Sequence, residues 1–526
     1  MSGSAAGGPS PNGGASKLEG QEIEIKFRTD AAGLALLLDA PLLNAATDLQ
    51  TETLKATYFD TPSHGLRKKG IILRIRKSGD DEPVLGMKGP GAASDGPFHR
   101  KEVEVTCSGQ KPDLALFDKA TKRLLERTIG DQPLAAKFKM EFKRLSGLVT
   151  SGSSVVEVAV DQGSVTAGKQ RLPLAEVELE LVSGCKADLL DLAMRLSKDF
   201  ALRLDFVSKA EKGFRTLLAE KPALAKAVPL KSKSLATFDD AVTAILSNTL
   251  AHFVANWAGL RESDEPESIH QMRIALRRMR CGLAILNRAA PGAGFGELRD
   301  DAGKLATAFG PARNADALRL SLLQGALASM DCPESRDALR AMLDKRRVAA
   351  YAAARAQLDG PAGTEFVLKV QGVLARRGWR ETPGSSGPKI SKAAARKLFR
   401  AELNRLRSRV LKREKAAGVS DQGRHKLRIA LKNLRYGVDF FAGLFGSAKS
   451  RRAYAKRLAD LQDLLGLRND IVVARVYLKE LRDEMGPEAD RILEFIRGWY
   501  AREAEGADKA IGKSWKKFQR EDIFWT

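Results

Sequence analysis

Glu22-Ile23-Glu24-Ile25-Lys26-Phe27 alternates charged and apolar side chains at period two, and the same texture returns in later segments before residue 215. Arg74 and Arg76 flank Ile75, and Glu102 and Glu104 flank Val103. Glu157 and Asp161 interleave with Val156, Val158 and Val160, while Glu176, Glu178 and Glu180 interleave with Val177 and Leu179. A strand sends successive side chains to opposite faces, so each segment presents one apolar and one ionic face. A single such strand is ordinarily half-buried with its charges in water. Repetition argues against that here, because whole strands are acidic at alternate positions where an outward face would pair Glu with Lys across strands. The expectation is a closed or strongly curved antiparallel sheet whose charged lumen grips an anion with bases and holds divalent metal ions with acids.

Turn signals such as Ser78-Gly79-Asp80, Gly89-Pro90-Gly91 and Asp161-Gln162-Gly163 separate the strand segments, and helical spacing marks 31–39, 113–129 and 186–200. Residues 21–218 therefore read as an α+β domain. Arg144 shares its alternation with Phe138, Met140 and Phe142, so a bulge or twist is expected to turn it into the lumen.

The chain has 526 residues, enough for two or three domains, and its net charge of +23 implies a polyanionic partner such as nucleic acid, polyphosphate or an acidic membrane surface. Cys107, Cys185, Cys281 and Cys332 lack the close pairing of a metal knuckle or disulfide framework, which suits a reducing, cytoplasmic compartment. Residues 1–20, rich in Gly, Ser, Ala and Pro, read as a disordered tail without secretory-signal features, and no apolar run is long enough to span a bilayer.

After a Lys/Ala/Pro-rich linker at 219–235 the texture becomes helical, in halves at about 236–380 and 391–520 joined by a Pro/Gly/Ser linker at 381–390. The segment from His270 to Arg280 returns 155 residues later from His425 to Arg435. Gly310-Pro311-Ala312-Arg313-Asn314 and Gly466-Leu467-Arg468-Asn469 form a second matched pair. On a helical wheel His270, Arg273, Arg277 and Arg280 share an arc of roughly 80°, opposite Met272, Leu276 and Met279; His425, Arg428, Lys432 and Arg435 do the same in the second copy. A basic stripe is most often a solvated face. Four bases without an acid at helical spacing repel one another, however, and the arrangement occurs twice, so two such faces meeting would make one strongly positive groove. The histidines fit helix packing or hydrogen bonding about as well as direct phosphate contact, and have no zinc spacing.

The motifs carry two resemblances. Glu22-Ile23-Glu24-Ile25-Lys26, Tyr58-Phe59-Asp60-Thr61-Pro62, Leu73-Arg74-Ile75-Arg76, Lys88 and the acidic strands that follow, in that order, resemble the CYTH superfamily of triphosphate tunnel metalloenzymes. The duplicated basic helix resembles the CHAD family across 236–520. The fold implied is an eight-stranded antiparallel tunnel followed by an all-α pseudo-symmetric pair of four-helix bundles. Carried over, Lys26, Arg74, Arg76, Lys88, Arg144 and Lys209 would hold phosphate oxygens, and Glu22, Glu24, Glu104, Asp161, Glu176, Glu178 and Glu180 would supply ligands for Mg²⁺ or Mn²⁺. His270, Arg273, Arg277, Arg280, Arg313, His425, Arg428, Lys432, Arg435 and Arg468 would contact long-chain polyphosphate.

The implied activity is hydrolysis of inorganic triphosphate to pyrophosphate and phosphate. The alternatives are a non-catalytic polyphosphate-binding protein on granules, and a thiamine triphosphatase or adenylate cyclase on the same barrel. Nucleic-acid binding is expected to be nonspecific, since the repeated helices lack interleaved aromatics, and no membrane partner is expected. Oligomeric state is left open.

Overall fold

The computed structural model describes residues 22–90, 98–330, 333–381, 392–417, 420–485 and 488–525. The expected tail at 1–20 and nearly all of the second linker lie outside them. The chain divides into two compact units between Glu220 and Lys221.

The first unit is an antiparallel barrel. Its strands are β1 (Glu22–Arg28), β2 (Thr47–Asp60), β3 (Ile72–Ser78), β4 (Val84–Pro90), β5 (His99–Thr106), β6 (Ala135–Ser151), β7 (Ser154–Ala167), β8 (Gln170–Ser183) and β9 (Arg203–Leu204). They run in the order β5-β4-β3-β2-β6-β7-β8-β1-β9, and β5 also pairs with β1. Eight strands thus close a ring, as the resemblance implies. The ninth, β9, has two residues, too few to show a period, and pairs with Phe27 and Arg28 of β1.

Register confirms which faces look inward. Glu24 lies opposite Glu180 and Lys26 opposite Glu178, while the alternate residues Ile25 and Phe27 are fully buried in the outer core. Leu73, Ile75, Leu85 and Met87 likewise point outward, into a cluster completed by Leu125 and Ile129 of the helix Lys119–Ile129. That helix begins later than the expected position 113. Asp118 caps it, its carboxylate accepting from the Ala120 and Thr121 N–H groups, and a separate short 3₁₀ turn occupies Leu114–Leu116.

The expected bulge at Arg144 is absent. Leu54, Ala56 and Tyr58 of β2 and Phe138, Met140 and Phe142 of β6 all share the inward face with Arg144, and they pack against Ala210 and Phe214 of the helix Lys209–Leu218. This helix occupies an apolar half of the lumen, so apolar side chains there are core residues. Gly163 permits the fit, since a Cβ at that position would lie 2.4 Å from the Phe142 Cα.

The second unit is helical. Its first repeat contains Phe238–Val254, Pro266–Ala289, Phe295–Ala308, Gly310–Ala317, Pro333–Asp359 and Pro361–Arg376; the second consists of Lys392–Ala417, Asp421–Phe441, Ala448–Met485 and Glu488–Arg520. The second repeat runs unbroken through Ala448–Met485, where the first breaks at Phe309 and restarts with Pro311 in its opening turn. The duplicated helices pack on each other: the Arg278 guanidinium lies 5.4 Å from the Phe440 ring centre, and the Cys281 thiol donates to the Asn433 carbonyl at 3.4 Å. Gly282 and Gly437, equivalent positions, let Ile245 and Leu406 approach closely. Among the described residues no helix is long and apolar enough to cross a membrane.

Candidate active site and anion-binding face

The ionic half of the barrel lumen is a cavity of about 200 Å³. Among the described residues it is lined by Lys26, Arg74, Arg76, Lys88, Arg144 and Lys209, all six bases singled out from the sequence, and by seven carboxylates: Glu24, Glu52, Glu102, Glu104, Glu157, Glu178 and Glu180. Lys209 enters from the first turn of its helix, behind the Ser208 cap.

Two ion-pair clusters face each other across this space. On one side the Glu178 carboxylate accepts from Lys209 at 2.5 Å, Arg144 at 2.6 Å and Lys26 at 2.9 Å. Burial would push its pKa up, but Lys209, Lys26 and Arg144 together hold it well below the usual carboxylate range. Burial also works against the Lys209 ammonium, and Glu176 and Glu178 outweigh it, keeping the pKa above its ordinary value. On the other side Arg74 bridges Glu102 and Glu104 at 3.1 Å each, Arg76 reaches Glu104 at 3.2 Å, and Lys88 reaches Glu102 at 2.9 Å.

Two of the expected metal ligands stand apart. Asp161 and Glu176 are wholly buried and do not line the cavity. Asp161 receives a two-pronged pair from Arg144 at 2.7 Å and Lys209 at 2.7 Å, and Glu176 pairs with Lys209, Lys212 and Lys26. They buttress the bases from behind. Glu22 lies in β1 opposite Arg100, and its side chain is outside the described residues.

The remaining carboxylates form a row. Glu24 is opposite Glu180, and Glu180 opposite Glu157, on three adjacent strands. These are hard oxygen donors of the kind Mg²⁺ and Mn²⁺ take, so the residues present fit a divalent cation. Among the described residues no three acid, His or Cys side chains already converge as a metal shell. Glu157, visible in the β7 alternation, and Glu102 and Glu52 extend the acids assigned from sequence. Asp60 of Tyr58-Phe59-Asp60-Thr61-Pro62 is a structural anchor, accepting from the Thr61, Leu66 and Arg67 N–H groups.

In the helical unit the first basic face is close-set. Arg313 Nε donates to His270 Nδ1 at 2.9 Å. Burial, then Arg313, Arg277 and Lys432, push the His270 pKa down to about 4, so the ring is a neutral acceptor. Lys432, which acts on this ring, belongs to the second repeat. Arg273 donates to the Ala306 carbonyl and is pushed down to about 10 by burial and by Arg277 and Arg313. Arg277 Nε is buried without a hydrogen-bond partner among the described residues. Arg280 is exposed beside Gly303, Arg435 donates to Gln462 at 3.1 Å, and His425 is exposed while Arg428 and Lys432 are half-buried. The Arg468 side chain lies outside the described residues.

Residues 20–214 match the CYTH domain family and residues 244–479 the CHAD domain family. Over 214 residues, 39% of this chain, the sequence is 32% identical to an inorganic triphosphatase of Haemophilus influenzae, of whose length the match spans 56%. An uncharacterized protein of Mycobacterium tuberculosis is 25% identical over 81% of this chain and 82% of its own. The crystal structure of the CHAD domain from the plant Ricinus communis is 31% identical, covering 57% of this chain and 99% of that one, with a TM-score of 0.48.

Proposed function

The chain joins a CYTH domain to a CHAD domain, and we propose that the first hydrolyses inorganic triphosphate to pyrophosphate and phosphate with Mg²⁺ or Mn²⁺, while the second holds long-chain polyphosphate. The observation that carries the catalytic reading is the charge balance of the cavity, six bases against seven carboxylates among the described residues. A triphosphate bears several negative charges, and a lumen that is itself slightly anionic would repel it if it came alone. Glu24, Glu180 and Glu157 would hold divalent cations that reverse that sign. When bound, such a cation neutralises phosphate oxygens and makes attack by water easier. Lys26, Lys88, Arg74, Arg76, Arg144 and Lys209 would then exchange carboxylate partners for phosphate oxygens, fixing the chain end and countering charge on the leaving oxygen.

Purified protein with Mg²⁺ or Mn²⁺ is expected to release phosphate from tripolyphosphate much faster than from ATP or thiamine triphosphate, and chelation should stop it. Glu24→Gln with Glu180→Gln should lower turnover by about 10²-fold or more. Equal or reversed substrate rates would remove the assignment.

A further inference from the structure

The helix Lys392–Ala417 carries Arg405, Arg409 and Arg413 at i, i+4 and i+8, a stripe along one side that extends about 12 Å. Its nearby counter-ion, Glu402, is shared. It accepts from Arg405 Nε at 3.0 Å and from Arg288 Nε at 3.1 Å. Arg288 belongs to the first repeat and, about five turns after His270, falls on the same side of its helix. At the other end Arg413 Nη1 donates at 3.0 Å to the carbonyl of Lys426, the neighbour of His425. Arg409, between them, is exposed and has no hydrogen-bond or ion-pair partner among the described residues. Burial, then Arg405, Arg413 and Arg288, lower its pKa from the ordinary guanidinium value, as expected of a cation crowded by its own kind.

We infer that this stripe is a further polyphosphate-binding track, running from Arg288, on the side of the first basic face, to the helix backbone beside His425 of the second. The inference rests on the proposed polyphosphate binding by the helical unit. Guanidinium groups suit the task because each can donate two parallel hydrogen bonds to a phosphate, and a linear polyphosphate offers the same group at every step. The track serves ligands long enough to leave the groove between the repeats.

The test is equilibrium binding of the full chain to short-chain and long-chain polyphosphate across a salt series. Arg409→Ala with Arg413→Ala should weaken long-chain binding roughly tenfold and flatten its salt dependence by about one to two in log–log slope, leaving short-chain binding and the melting temperature unchanged. Arg409→Glu, at an exposed position, should deepen the loss. Unchanged long-chain affinity and slope in both variants, with the wild type binding, would overturn the track and leave the groove standing. Equal losses for short and long chains would overturn it too. A wild type that binds neither length would sink the underlying polyphosphate reading itself.

Discussion

The barrel lumen and the basic face of the helical unit are both rich in bases but hold several of them in different states. In the barrel each of the six bases that line the cavity is answered by a carboxylate, and Lys209 by itself touches Asp161, Glu176 and Glu178. In the helical unit Arg313 faces a neutral His270, Arg277 Nε has no hydrogen-bond partner among the described residues, and Arg409 stands among other arginines. The difference teaches how the same residue types can serve different ligands. Matched charges in a closed lumen need cations to admit an anion, whereas unmatched charges on a helix face draw a polyanion directly and lose it to salt.

The comparison breaks most visibly at Lys209. Lys209→Met would leave Asp161, Glu176 and Glu178 under-compensated in a buried site, which costs about 3–5 kcal/mol. The first unit should melt earlier and triphosphate hydrolysis should vanish, with polyphosphate binding by the helical unit retained. An unchanged melting transition would refute the central place given to this ammonium.

Arg277→Ala with Lys432→Ala should do the reverse. Each lost charge-assisted contact is worth about 1.5 kcal/mol or more, so polyphosphate affinity should fall roughly a hundredfold, while tripolyphosphate turnover stays the same. A fall in both would mean the two regions do not divide the work.

The smallest effect sharpens the contrast through pH. His270 has its folded pKa pushed down to about 4, against roughly 6.5 when unfolded. Between those values the unfolded chain takes up the proton first, so this group's contribution to stability is present above about pH 6.5 and is lost as pH falls toward 4. A bound polyanion would raise the folded pKa, so binding should tighten as pH drops from 7 to 5. His270→Gln should flatten that dependence. Glu178 follows the same sign on the barrel side, its depressed pKa giving stability that persists until strongly acid pH.

Much of this was legible in the chain because period two and period 3.6 translate directly into faces. The alternations around Glu24, Arg74 and Glu178 identify the inward side without any knowledge of strand order, and the duplicated helix announces its basic face twice. Depth was not legible. Whether Asp161 and Glu176 touch the cavity or sit behind Lys209 depends on where the helix Lys209–Leu218 lodges, which no local pattern encodes. The same helix turned Phe138, Met140 and Phe142 from an apparent outer face into an inner one. Nor could spacing predict that His270 accepts from Arg313, because the two residues are brought together only by the fold of the first repeat.

The Lys209–Leu218 helix has one more consequence. Ala210 and Phe214 are seated among Tyr58, Phe138 and Val165 and fill that half of the barrel with side chains. On the proposed reading, a triphosphate admitted to the charged half would leave as fragments by the way it came, and a longer chain would offer only its tip.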